Sequence, residues 1–402
     1  MTTPAPRSMT PLYWLALGTF ATGTEGFMIA PLLPDLARDF SVSLVAAGQL
    51  VTVFSLTYAL SSPVLTALTG DIDRRRLLIA SMLLFAAANF VACAAHTYTA
   101  LMGARLLLAI AAGLYVPNAN ALAGALVEPS RRGTALSIVT GGISVAVALG
   151  VPLGALIGDR FGWRVNFAVV GALALIATGG LLTGLARDIA DRLPVARLRE
   201  RLDVAREPAL LVALLVTMMW ATGAYAVYTY LASFLSRAAG LTGSSIGAVL
   251  FMWGVAAVIG LRLGGRLTDR FGQLPVILTS LSLLALAFLS LSTSAVLLPP
   301  ASARTPILLA ITLWGLSAWA FFPAQQARLI SIAGVNVAPV ALSLNASFQF
   351  LGFSTGAALG SLTLANTSPL ALGWVGASCV LGALALVLVT SRHVRSPFPI
   401  AA

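Results

Sequence analysis

The sequence has no lysine, two cysteines, two histidines and only 13 acidic residues, so charged side chains occupy just 9% of its 402 positions. A water-soluble domain carries roughly 25% charged residues. A chain this poor in charge cannot cover itself with polar surface, which excludes the soluble, multi-domain reading that its length would otherwise suggest. Cys93 and Cys379 lie far apart in apolar runs, without the spacing of a metal-binding set, and read as packing residues. His96 and His393 fall at or beyond the ends of those runs, and no two acids share a helical spacing inside one. The clustered nucleophile, base or metal ligands that an enzyme needs are missing, so no catalytic residue, cofactor or metal site is read. The absent lysine points to a biased, GC-rich coding genome and carries no chemical message.

Apolar sequence is what the chain has in excess: hydrophobic residues make up 59% of it. They recur in runs near the ~20 residues that cross a bilayer core. About twelve spans are predicted, over 11–33, 46–69, 77–96, 100–127, 134–158, 165–186, 208–236, 242–263, 274–294, 305–327, 339–364 and 370–391. Lipid gives the backbone no hydrogen-bond partner, and the runs lack the alternation of barrel strands, so they are expected to be helices. The first run, Pro11 to Leu33, lacks a basic flank followed by a small-residue cleavage site and reads as a retained helix.

The net charge of +11 rests on arginine alone. With the N-terminus inside, Arg74, Arg75, Arg76, Arg131, Arg132, Arg187, Arg192, Arg197, Arg199, Arg201, Arg206, Arg266, Arg270 and Arg328 fall on the cytoplasmic side, against Arg38, Arg160, Arg164, Arg237 and Arg304 outside. This is the positive-inside pattern; it places both termini in the cytoplasm and removes nucleic acid as a partner. The stretch from Arg187 to Glu207 alternates acids and arginines and divides the chain into a bundle over 1–186, a linker over 187–207 and a second bundle over 208–402. The linker reads equally as an amphipathic helix on the inner membrane surface or as a solvated tether. A shift of 202 residues superposes Gly70 on Gly272, Gly113 on Gly315, Gly150 on Gly352, Gly154 on Gly356 and Gly158 on Gly360. Two parallel six-helix halves that rock about a central site fit such a repeat.

Two motifs suggest moving parts. Gly265-Arg266-Leu267-Thr268-Asp269-Arg270-Phe271-Gly272 reads as a loop after the eighth span, with an acid and bases placed to latch one state; the plainer reading is an ordinary basic turn. Its first-half counterpart keeps Gly70, Arg74 and Arg75. The fifth span carries Gly142, Ala146, Gly150, Pro152, Gly154 and Gly158, a smooth stripe for close helix approach with a proline able to bend the helix.

The stretch from Gly265 to Gly272 resembles the signature between the second and third helices of the major facilitator superfamily. Gly150-Val-Pro-Leu-Gly154 with Gly158 resembles the fifth-helix signature of its twelve-helix drug:proton antiporters, and Arg105 with Gly113 is similar to their fourth-helix motif. Stretches from Ala47 to Leu60, Gly158 to Arg164 and Trp314 to Gln326 resemble the branch of bacterial purine efflux pumps and arabinose or sugar efflux permeases. The resemblance implies an all-α major facilitator fold in the bacterial cytoplasmic membrane, acting as a monomer with a small-molecule substrate and protons. One departure stands out: Ala67 and Pro63 replace the first-half latch acid and leading glycine, so the inner gate is expected to lean on Asp269.

Glu25 is the one acid deep inside a span, where a charged carboxylate is expensive unless it is paired, neutral or wet. Proton coupling, direct substrate contact and helix packing are open readings of it. Arg105, by resemblance, serves proton transfer or bundle cohesion; a snorkelling arginine is the alternative. Asp35, at the outer end of the first span, reads as interfacial or gating. The resemblance places helices one, four, seven and ten about the axis. They supply Asn118, Asn120, Trp220, Tyr225, Tyr228, Trp314, Trp319 and Gln325, with Gln49, Asn345 and Gln349 behind. Amides beside aromatic faces suit a flat, weakly polar solute such as a nucleobase, nucleoside or aromatic antibiotic. Each of these side chains also has a structural reading, as an interfacial anchor or an interhelical hydrogen bond. Proton-driven export is the leading expectation and an uncoupled uniporter or importer of the same fold the alternative.

Overall fold

The computed structural model describes residues 9–70, 72–128, 131–185, 207–334 and 337–393, with side chains described up to 391, and in them every regular element is helical. The linker expected over 187–207 lies outside the described residues except for Glu207, as does Asp71. The first half consists of α1 (Thr10–Asp39), α2 (Leu44–Leu68), α3 (Arg74–Cys93), α4 (Tyr98–Ala125), α5 (Arg132–Phe161) and α6 (Trp163–Gly184). The second half consists of α7 (Pro208–Tyr228), the short α8 (Leu231–Ala239), α9 (Ser244–Phe271), α10 (Gln273–Leu297), α11 (Pro300–Ala333), α12 (Ala338–Asn366) and α13 (Leu372–His393). Among the described residues, ten of the twelve long helices are apolar enough to cross a membrane. The other two, α1 and α12, are diluted by Thr19, Thr22, Thr24 and Glu25, and by Asn345, Ser354 and Ser361, all buried in the protein.

Local signals end the helices where polar chemistry allows it. Ser43, Asp73 and Thr97 cap α2, α3 and α4 by accepting from the N–H groups of Ala46, Arg76 and Ala100 at 3.0, 2.8 and 3.2 Å. Gly162 and Gly272 join α5 to α6 and α9 to α10 in single-residue turns with φ of 84° and 82°, a backbone region that L side chains avoid. Two sequence expectations need correction. The seventh span, expected over 208–236, breaks between α7 and α8 with no proline or glycine at the break; there Tyr230 turns its ring into the other half, against Gly48. The residues from Gly265 to Phe271 are no loop but the last two turns of α9, which ends only at Gly272, where the positive φ breaks the helix.

The 202-residue repeat has a packing counterpart. Gly150, Gly154 and Gly158 of α5 lie against Thr24, Met28 and Leu32 of α1, while Gly352, Gly356 and Gly360 of α12 lie against the α7 backbone from Met218 to Ala226 and the Tyr230 ring. In both halves the glycines remove the side chains that would hold two helices apart. Within α5, residues Ala146–Gly150 form a π turn just before Pro152, the local irregularity that a proline without an N–H invites.

Short turns make neighbouring helices antiparallel, so the starts of α1, α3 and α5 and the ends of α9 and α11 share one end, rich in arginine. The halves touch at the opposite end. Ser354 and Ser361 of α12 donate to the Thr52 and Val45 carbonyls of α2 at 3.0 and 3.4 Å, and Gln49 donates to Ser361 at 3.4 Å. A Cβ on Gly254 of α9 would lie 2.8 Å from the Val147 carbonyl oxygen and the Ala148 Cα of α5. Past that crossing α5 and α9 diverge toward the arginine-rich end around a crevice of about 450 Å³. The molecule is closed at one end and parted at the other.

At the closed end Asp39 accepts from Trp163 Nε1 at 2.9 Å and Arg164 Nη1 at 2.6 Å, while Arg164 also donates to the Ala95 carbonyl. The hydrogen bonds from Arg164 and then Trp163 hold the Asp39 carboxyl below its ordinary 3.8. A depressed carboxyl stabilises the fold above its unfolded value and loses that contribution as pH falls through the folded one. The melting temperature is therefore expected to fall on acidification below about pH 4, and more shallowly in Asp39→Asn. Parallel melting curves for the two proteins across that window would remove the clamp from the account.

Candidate functional site

Glu25 of α1 and Arg105 of α4 form an ion pair with both side chains fully buried. Thr22, Gly23 and Thr24 bring α1 to the centre beside α5, and small residues on both sides of Arg105, Ala104 and Ala109 among them, leave room for the guanidinium. Arg105 also donates from Nε to the Leu50 carbonyl at 3.3 Å and lies 4.1 Å over the Phe54 ring, so α2 completes its seat. Each charge makes the other's burial tolerable, and removing one alone costs about 3–5 kcal/mol. The pair retains unused capacity. Glu25 Oε2, Arg105 Nη2 and the neighbouring Thr24 hydroxyl are buried without a hydrogen-bond partner. Tyr225 of α7 lies within electrostatic reach of Arg105, which brings the pair to the boundary between the halves.

On that boundary stands a continuous aromatic wall. Tyr58 of α2 stacks on Phe350 of α12 at 3.7 Å, and Tyr225 stacks on Phe353 at 3.6 Å. Phe27, two residues beyond Glu25, meets Tyr225, Tyr228 and Phe353, and its carbonyl accepts from the Tyr228 hydroxyl at 3.0 Å. Tyr228 continues through Trp253 to Trp314, with the two indoles 5.5 Å apart. The indole N–H groups of Trp220, Trp253 and Trp314 are buried and unpartnered, and Trp220 stacks on Phe321 at 5.1 Å. Such walls offer π faces and hydrogen-bond donors to a flat molecule with acceptor atoms on its rim.

The structure sorts the residues that sequence singled out. Tyr225, Tyr228 and Trp314 meet in the wall. Gln325 and Asn345 meet at Thr217, with Gln325 donating to Thr217 at 3.0 Å and Thr217 donating to Asn345 at 2.7 Å. Asn118 is engaged elsewhere, accepting from Arg74 at 2.7 Å and donating to the Leu114 carbonyl; Asn120 accepts from Thr140 at 3.3 Å. Gln49 bonds across the halves at the closed end, while Trp319 and Gln349 are half-buried. Sequence reading missed Phe27, Tyr58, Trp253, Phe350 and Phe353. The spacing of Phe350 and Phe353 beside Gln349, and the position of Phe27 just past Glu25, were the available signals.

The gating candidates divide by end. Asp35 pairs with Arg38 one turn on, at the closed end. Arg74 is buried against Asn118, and Arg75 donates to the Leu185 and Leu182 carbonyls at the end of α6, so both arginines tie the first half together. Gly70 lies in the turn before α3. Asp269 is exposed and, among the described residues, has no ion pair; Arg270 lies over the Phe271 ring at 5.0 Å. The same Asp-Arg-Phe-Gly run recurs at 159–162, where Asp159 faces the start of α9 closely enough that a Cβ on Gly243 would sit 3.0 Å from its carboxylate. One copy meets the other half at the closed end, and the second stands free at the open end.

Comparison with known proteins gives one answer. The model of the Major Facilitator Superfamily matches residues 15–357. The MFS-type transporter YbcL of Bacillus subtilis (strain 168) is 33% identical over 376 residues, 93% of each chain. YtbD of the same organism, also an MFS-type transporter, is 30% identical over 396 residues, 96% of each chain. Among solved structures, a bacterial homolog of the human lysosomal transporter Spinster, in an inward-facing and occupied conformation, shares the fold with a TM-score of 0.76 at 18% identity, covering 97% of this chain and 98% of that one. With twelve long helices among the described residues and matches across nearly its whole length, the chain belongs to the Major Facilitator Superfamily and is a multi-pass membrane transporter.

Proposed function

We propose that this transporter is a proton-coupled exporter of a small, flat organic solute, of the drug:proton antiporter type and nearest to the purine and sugar efflux branch. The observation that carries this reading is the buried Glu25–Arg105 pair, with one carboxylate oxygen unpartnered and the aromatic wall one residue contact away. A proton taken up on the unpartnered oxygen removes the charge that holds Arg105 and weakens the ion pair to a single hydrogen bond. Protonation therefore loosens α1 from α4 and changes the wall through Phe27 and Tyr225. Substrate and proton compete for one region in a two-state equilibrium, which is the requirement for antiport. The stacked rings favour a nucleobase, nucleoside or aromatic antibiotic over a sugar. In this reading the arginine-rich end and both termini face the cytoplasm of a bacterium, and the chain works as a monomer in the inner membrane.

Transport into proteoliposomes of purines, pentoses and aromatic antibiotics, with and without an imposed pH gradient, tests the proposal. Gradient-driven accumulation of one flat, aromatic class is the expected result. Uptake that ignores the gradient would replace export with a uniporter of the same fold.

The free copy of the Asp-Arg-Phe-Gly run supplies the gate. When the arginine-rich end closes, Asp269 is brought to the other half as Asp159 already is at the far end. Asp269→Asn is expected to slow turnover about two- to fivefold, the worth of one charge at a helix end. Asp73→Asn should have little effect, because Asp73 caps α3 and asparagine caps equally well. Equal turnover in the two variants would remove Asp269 from the gate.

A further inference from the structure

The crevice between α5 and α9 is lined by Ser137, Gly141, Ser144, Val145, Ala148, Leu149, Val258, Leu261 and Arg262. Its polarity is graded. The two helices run in opposite directions, so Ser137, Gly141 and Arg262 lie toward the arginine-rich end, while Ala148, Leu149 and Val258 lie deeper. Large side chains on its rim, Val145 and Leu149, are nearly half exposed, as lipid-facing residues are. Arg262 is exposed into the crevice and, among the described residues, forms no ion pair, hydrogen bond or ring contact. It stands nine residues before the end of α9, about 14 Å inward along the helix axis. An arginine at that depth needs an anion or a path to water. Arg266 lies one turn closer to the membrane surface. Arg131 and Arg132 open α5 on the far side, at a helix start whose N–H groups receive no side-chain cap.

We infer that this crevice is a binding site for an anionic phospholipid from the leaflet at the arginine-rich end, with its phosphate on Arg262 and the α5 serines and its first acyl methylenes along Val145, Leu149 and Val258. The ligand chemistry follows from the gradient: an anion alone would leave the deep apolar half unfilled, and a neutral lipid would leave Arg262 without a partner. Basic pockets between membrane helices take acidic headgroups for the same reason. The bound lipid sits where α5 and α9 must meet when this end closes. It therefore acts as a wedge that favours the open state and has to leave in each cycle. The site is separate from the Glu25–Arg105 pair and does not depend on which solute is carried.

The test is lipid retention by the purified full-length protein, read by native mass spectrometry and by thermal stability, after exchange into phosphatidylglycerol or phosphatidylcholine nanodiscs. Wild type is expected to prefer phosphatidylglycerol about fivefold. Arg262→Gln should lose the preference, Arg262→Lys should retain most of it, and Gly141→Leu, which fills the crevice, should lose the retained lipid whatever its headgroup. Arg237→Gln, which removes the same charge at the opposite end, should behave as wild type. An unchanged preference in Arg262→Gln overturns the site. Equal stabilisation by inorganic phosphate alone would overturn the lipid assignment and make the ligand a free anion.

Discussion

Glu25→Gln is expected to abolish gradient-driven accumulation. If one proton is exchanged per solute, a gradient of two pH units sustains an accumulation ratio of about 100, and a protein that cannot take up the proton brings the ratio to about 1. Glutamine keeps the size and a hydrogen-bonding oxygen for Arg105 but removes the site that alternates between charged and protonated. The substitution also leaves Arg105 fully buried without its counter-charge, which costs about 3–5 kcal/mol. Loss of folding alone would therefore also give a dead variant. Glu25→Gln combined with Arg105→Gln removes both charges and is expected to recover most of the melting temperature while accumulation stays lost. Solute exchange down its own concentration gradient should survive in the double variant, because the aromatic wall from Phe27 to Trp314 is untouched. If Glu25→Gln accumulates solute as wild type does, the pair is a structural fastener and coupling lies elsewhere.

That pair shows how far sequence carries a reading of this kind. Each residue was conspicuous alone, because a bilayer makes any charge in an apolar run expensive. Their partnership was hidden, since 80 positions separate them and nothing local relates them. The helices were legible for the same reason that the charges were: the bilayer sets the length of an apolar run, and the described residues hold a long helix at each of the twelve runs. Departures came where tertiary contact decided. Nothing near Tyr228 and Tyr230 announces the break between α7 and α8, which depends on Gly48 of the other half leaving room for a ring. The polar cluster around Asp269 looked like a loop because its composition is that of one, yet the backbone stays helical. Aromatic residues were the hardest to place. A phenylalanine facing lipid and one facing a central wall look alike in a chain that is apolar on all sides, so sequence does not single out Phe27, Phe350 and Phe353, whereas the amides Asn118 and Asn120 stand out in it and bond within the first half.

The rocking of two halves makes its own demand on Gly254. This residue sits at the crossing of α5 and α9, the last point of contact before the crevice opens, and its would-be Cβ is 2.8 Å from backbone atoms of Val147 and Ala148. Backbone in a helix cannot step aside as a side-chain tip can, so a valine there is relieved only by parting the halves at their closed end. Overpacking of this kind costs about 1–3 kcal/mol. Because the cost falls on one state alone, it shifts the equilibrium between states by about 5- to 150-fold rather than lowering the stability of both. Ser361, buried at the closed end against Val45, reports that opening once it is replaced by cysteine in a chain with Cys93 and Cys379 changed to serine. Thiol labelling of Ser361→Cys is expected to accelerate on adding Gly254→Val. Gly264→Val makes a tighter overlap, 2.4 Å from the Ala320 carbonyl oxygen, but inside the same half, where no rocking relieves it. It should lower the melting temperature and leave the labelling rate unchanged. Unchanged labelling in Gly254→Val would mean that the α5–α9 crossing is not part of the surface that opens, and the alternation between ends would have to be carried by α2 and α12 alone.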